Sequence, residues 1–200
     1  MKIIGITGGV GAGKSSVLDY IEANYDCEIV TADDIANEIK EPGEECYEAI
    51  VKLLGKNVLD DNGYINKKKM ADAIYADEKL RDEVNAIIHP AVIARIKEKG
   101  DAARRNGRPE FFFIEAALLI ECGFNDYVDE MWYIYADTNV RRERLKNSRG
   151  YSDEKIDGIM ASQLSDEEFR KNSDAVIDNS GDMNVTAYQI DARLGGRDGR

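Results

Sequence analysis

The chain has one histidine, one tryptophan and three cysteines in 200 residues. Cys27, Cys46 and Cys122 are scattered and odd in number, and no CxxC pair occurs. The single His89 cannot anchor a zinc cluster, so neither a structural metal nor a disulfide framework is expected. This usage suits a reduced, cytoplasmic protein. No apolar run approaches 18 residues, which excludes a membrane span by helix. No signal-peptide pattern precedes the first strand-like run. Positive charge is also scarce, with 27 Lys and Arg against 39 Asp and Glu, a net of −12. Such a surface repels nucleic acid unless a basic patch is concentrated somewhere. One window qualifies, TNVRRERLKNSRG, with Arg141, Arg142, Arg144, Lys146 and Arg149.

What is present is an apolar chain patterned for one α/β domain. Near-continuous apolar runs at 2–7 (KIIGIT), 28–31, 111–114 continuing to 120, 131–136 and 175–178 read as strands covered on both faces. Helical spacing recurs at 14–23, 34–39, 44–54, 67–75, 78–88, 91–105, 139–147, 153–164, 166–171 and 184–194. Pro90 is expected to end one helix and begin the next. The order predicts a five-stranded parallel sheet flanked by helices. The core is expected over 1–39 and 109–194, a helical insertion over about 40–108, and a lid over about 138–165. The closing GGRDGR is expected to fray.

Residues 8–15 read GGVGAGKS, glycine, four residues, then Gly-Lys-Ser, between a strand and a helix. This is the P-loop pattern in its required context. Glycines let the backbone curl so that N–H groups point inward, and the helix start adds its positive end. Gly11, Ala12, Gly13, Lys14, Ser15 and Ser16 are therefore candidates for gripping ATP. Lys14 would reach the β- and γ-phosphates, and the Ser15 hydroxyl would ligate Mg²⁺. No guanine-reading [NT]KxD follows, which argues against a GTPase, and the chain is short for a motor. A small-metabolite kinase remains, with the insertion binding the acceptor.

Asp33 lies at the end of the second predicted strand, where a carboxylate can take an acceptor hydroxyl's proton. It can equally cap the following helix, and Asp34 is an equal rival in either role. In the basic window, Arg141 and Arg144 share one helical face, and Arg142 and Lys146 another. Only one face can line phosphates. The candidate is Arg144, with Arg149 a weaker one.

These blocks together resemble the dephospho-coenzyme A kinase family almost end to end. GITGGVGAGKSSV, TADDIANEI with KEPG (31–43), NGYINKKKM (62–70), IIHP (87–90), EAALLIE (115–121), Gln163 and SDAVIDNSG (173–181) carry the resemblance. It implies a P-loop NTPase fold and ATP- and Mg²⁺-dependent phosphorylation of the ribose 3′-hydroxyl of dephospho-CoA. It implies Asp33 rather than Asp34 as base, His89 and Pro90 near the acceptor, and Asn179 and Gly181 beside the adenine. Packing and an ordinary turn remain the competing readings for those last two pairs. Glu115 would sit near the acceptor and Mg²⁺ waters, or else anchor a neighbouring loop. A monomer or weak homo-oligomer without nucleic-acid or membrane partners is expected. The chain departs from the family at Thr31 (aspartate), Ala117 (proline) and Ser148 (arginine). Those departures leave two other readings, a kinase of another nucleoside-like acceptor and a degenerate nucleotide-binding regulator.

Overall fold

The structure, a computed structural model, describes residues 1–75 and 77–195. The tail expected to fray lies, from residue 196, outside the described residues. Five strands, β1 (Lys2–Thr7), β2 (Cys27–Thr31), β3 (Phe111–Glu115), β4 (Glu130–Tyr135) and β5 (Ala175–Asp178), form one parallel sheet in the order β2-β3-β1-β4-β5. β1 pairs with β3 through Ile4↔Phe113 and with β4 through Ile6↔Trp132. The connection from β1 runs to the β2 side and that from β3 crosses back to β4, so the C-terminal ends of the adjacent β1 and β3 flank the switch point where open sheets form their ligand crevice.

Side-chain alternation explains the apolar runs. Ile4, Ile6, Phe111, Phe113, Trp132, Ile134, Ala175 and Ile177 enter one core with Val17, Leu18 and Ile21 of α1 (Lys14–Asn24) and Ile190 and Leu194 of α9 (Met183–Leu194). The intervening Ile3, Phe112, Ile114, Met131 and Tyr133 are buried as well. On Tyr133 the ring of Phe169, from α8 (Asp166–Lys171), stacks at 4.7 Å between centroids. A strand buried on both faces has no polar positions to spare.

The chain divides into two compact units, Met1–Ile29 with Asn106–Arg200, and Val30–Arg105. The second is helical: α2 (Ala32–Glu38), α3 (Tyr47–Leu54), α4 (Lys67–Tyr75) and most of α5 (Glu78–Asn106). α6 (Thr138–Arg149) and α7 (Asp153–Ala161) complete the first.

Two expectations are corrected. The third strand stops at Glu115 instead of continuing to 120, and Leu118 is exposed, so the apolar run there is a set of turns. Pro90 does not divide two helices: α5 is a single helix of 29 residues with Pro90 inside it. Val84, Ile88, Val92 and Ile96 are buried at four-residue steps through the proline. Burying each contributes about 1.5–3 kcal/mol, which outweighs the roughly 3 kcal/mol of an interior proline. Pro90→Ala restores a backbone donor and is expected to raise the thermal unfolding midpoint by several degrees. A lowered midpoint in a calorimetric melt would contradict the interior placement.

Candidate active site

The loop between β1 and α1 is held in shape from outside. Asn179 follows β5, is 4% exposed, and donates from Nδ2 to the Ala12 carbonyl at 2.8 Å. Its Oδ1 accepts from Thr186 Oγ1 at 3.1 Å, so both ends of the amide are engaged. Arg144 donates to the same Ala12 carbonyl at 3.2 Å and to the Asn179 carbonyl at 2.8 Å. Arg141 donates through Nε to the Val10 carbonyl at 2.8 Å. Gln163 Oε1 accepts from both the Val10 amide, at 3.0 Å, and Arg141, at 3.1 Å.

Two glycines make this bracing possible. A Cβ on Gly13, at φ +87°, would stand 2.3 Å from Asn179 Nδ2. A Cβ on Gly9 would stand 2.3 Å from an Arg141 guanidinium nitrogen. A Cβ at Gly13 would displace the buried Asn179 amide, and one at Gly9 would push the Arg141 guanidinium away from the loop.

Inside the braces lie the groups that meet a polyphosphate. Lys14 Nζ donates to the Gly8 carbonyl at 2.9 Å and lies 3.3 Å from Glu115 Oε1, with both side chains under one-fifth exposed. Gly13 caps α1 with no side-chain hydrogen bond, and no acid stands in the first turn. The first amides of that helix therefore keep their donors for an anion. Ser15 and Ser16 are exposed on the same turn. This donor set fits a triphosphate. The Ser15 hydroxyl and the Glu115 carboxylate are the hard oxygen donors that suit Mg²⁺, which ordinarily takes few protein ligands beside phosphate oxygens. Among the described residues no cluster of three or more His, Cys, Asp or Glu side chains could hold a metal.

The basic window separates by face. Arg141 and Arg144 turn to the loop, whereas Arg142 pairs with Asp153 and Asp157, and Lys146 with Asp153 at 2.8 Å. Those ion pairs hold the Asp153 carboxyl below the usual carboxylate range and raise Arg142. Arg149 ends α6 with its guanidinium 5.9 Å from the Tyr151 ring centre. Ser148 donates to the Arg144 carbonyl at 2.6 Å. Arg141 and Gln163 brace the loop at Val10, and spacing alone does not single them out. The only sequence signal for Arg141 is its shared face with Arg144. Gly181, with open space around it, stays on the surface.

In the second unit, Thr31 treats the two aspartates differently. Its Oγ1 accepts from the Asp34 amide at 3.0 Å and donates to Asp34 Oδ2 at 2.7 Å, capping α2. Asp34 is occupied by the cap. Asp33, exposed in the first turn, makes no hydrogen bond among the described residues. Threonine serves the cap about as well as aspartate, so the departure at Thr31 costs α2 little. His89 and Pro90 are exposed on α5.

The family model for dephospho-CoA kinase matches residues 2–184. A dephospho-CoA kinase of Symbiobacterium thermophilum is 33% identical over 192 residues, covering 96% of this chain and 80% of that protein. One of Oceanobacillus iheyensis is 36% identical over 191 residues, 94% of each chain. In fold, the dephospho-CoA kinase of Campylobacter jejuni superposes with a TM-score of 0.73 at 20% identity, over 96% of this chain and 95% of its own.

Arg141→Ala removes a charged donor from the loop and is expected to weaken MgATP binding about tenfold to a hundredfold by calorimetry. Arg142→Ala, on the face paired with exposed acids, should stay within about fivefold. Equal losses in the two variants would refute the division of faces.

Proposed function

The chain belongs to the dephospho-CoA kinase family, and from that premise we propose that it transfers the γ-phosphate of ATP to the ribose 3′-hydroxyl of dephospho-CoA, giving CoA. The observation that carries the reading is the braced loop with Lys14 inside it, a polyphosphate grip in a chain matched to one family over almost its whole length.

In this reading the loop amides and Lys14 hold the β- and γ-phosphates, and Ser15 with Glu115 serves the Mg²⁺, which when bound neutralises charge on the phosphate oxygens. Arg144, already fastened at Ala12, keeps one face of α6 directed at the loop. Asp33 accepts the 3′-hydroxyl proton as the oxygen–phosphorus bond forms and the bond to the β,γ-bridging oxygen breaks. ADP leaves with the electron pair of that bond. Support for Asp33 over Asp34 comes from the cap, which occupies Asp34 alone. His89 and Pro90 are assigned to acceptor contacts. Asn179 is assigned to the nucleotide loop, and Gly181 to the adenine side.

A cytoplasmic setting and a monomer or weak homo-oligomer belong to the same proposal. The three cysteines are all free thiols, as a reducing compartment keeps them. Among the described residues no helix is long and apolar enough to cross a membrane.

Incubation with MgATP and dephospho-CoA, followed by chromatography of products, should yield CoA and ADP in equal amounts. ADP without CoA, or no turnover, would overturn the assignment. Asp33→Asn should cut turnover about 10²–10⁴-fold while MgATP affinity persists. Unchanged turnover would remove Asp33 from the role of base.

A further inference from the structure

The helical unit holds a small cavity that the nucleotide loop does not account for. Its volume is about 130 Å³, and Asn37, Lys40, Tyr64, Ile65, Lys67 and Met70 line it, with Glu41. A water needs ~10–15 Å³ of cavity, so this one accommodates a group the size of a phosphate or diphosphate and not a whole nucleotide.

Two cations are brought to it by separate local devices. Lys40 follows α2, where its amide donates to the Asn37 carbonyl at 3.2 Å and the chain is turned by Cys46 donating to the Ile39 carbonyl at 3.0 Å. Lys67 starts α4. Asp60 Oδ1 accepts from the amides of Asn62 and Tyr64, both at 2.9 Å, closing a turn that pairs Leu59 with Ile65. Asn66 then caps α4 by accepting from the Lys69 amide at 3.0 Å. Both lysines thereby reach one cavity from positions 27 residues apart in sequence.

Among the described residues neither ammonium forms an ion pair. Nearby Glu38 and Glu44 are committed to Arg95, the latter at 2.9 Å, and Glu38 also to Lys99 at 3.3 Å. Glu41 is exposed and makes no ion pair with either lysine among the described residues. Burial first, and then the Lys67 charge, push the Lys40 ammonium below the ordinary lysine value. Asp33 acts on it in the opposite sense, which sets the cavity within electrostatic reach of the residue assigned as base. The half-buried Lys40 loses water and is repelled by the Lys67 charge, and a dianion placed between the two lysines relieves both costs.

We propose that Lys40 and Lys67 form a diphosphate subsite for the acceptor, holding the 5′-diphosphate of dephospho-CoA while its ribose 3′-hydroxyl meets Asp33. The proposal rests on the kinase reading above. A diphosphate sets dephospho-CoA apart from adenosine itself, so this pair is what favours it over an acceptor without phosphate.

Steady-state kinetics of Lys40→Met and Lys67→Met with dephospho-CoA and with adenosine tests it. Each variant is expected to raise KM for dephospho-CoA at least tenfold, to keep KM for ATP, and to shrink the preference for dephospho-CoA over adenosine by the same factor. Lys67→Arg should recover most of the loss, and Lys68→Met, beside the cavity lysine but not lining it, serves as control. Parallel losses on both acceptors, or no change in KM, would overturn the subsite while leaving the kinase reading intact. Independently, inorganic pyrophosphate is titrated calorimetrically with the nucleotide loop saturated by a non-hydrolysable ATP analogue. Binding lost in both Met variants supports the subsite even if dephospho-CoA were not phosphorylated. Binding retained in both refutes it.

Discussion

The side-chain amide of Asn179 against the Ala12 carbonyl is the contact on which the nucleotide site depends. A glycine-rich loop is free to curl but equally free to collapse, because each glycine carries more backbone entropy than any other residue. The sequence of the loop therefore permits the phosphate-binding shape without imposing it. Asn179, Arg144, Arg141 and Gln163 impose it, each clasping a backbone group between Val10 and Asn179. Ala12 is 1% exposed for this reason, although it sits in a loop that must remain open to ligand on its other side.

Much of this was legible in the residues, and what was not shares one cause. The strands show as apolar runs because both faces of the sheet are covered, and the loop shows because its chemistry is local. The split of the basic window into two faces follows from helical spacing. The resemblance puts Asn179 beside the adenine, but its hold on Ala12 was not legible, since that partner lies 167 positions away. Pro90 misleads because proline speaks for its own turn, whereas the burial of Val84, Ile88, Val92 and Ile96 decides the whole helix. The apolar run after Glu115 misleads in the opposite way: its composition suits a strand, but no neighbouring strand is there to pair with it. Position alone does not separate the two aspartates after Thr31; the resemblance favours Asp33, and the cap hydrogen bonds engage Asp34.

Net charge turns out to describe the surface and not the sites. An acidic chain handles anions here by spending its carboxylates on selected cations. Asp153 and Asp157 take Arg142 and Lys146, and Glu38 and Glu44 take Arg95. Arg141 and Arg144, which form no ion pair among the described residues, turn instead to the carbonyls of the loop. Lys14 is the intermediate case, sharing Glu115 at 3.3 Å, a contact long enough for phosphate oxygens to compete with.

The phosphate loop is written in the first sixteen residues, but the asparagine that shapes it is written at position 179. During translation, then, the loop glycines wait for an asparagine that is added 167 positions after Ala12 before they acquire their fixed curvature. Until that point a nascent chain carries the motif without the site, and nucleotide cannot assist the folding of any earlier segment. Its stabilising effect arrives only with the last strand and helix.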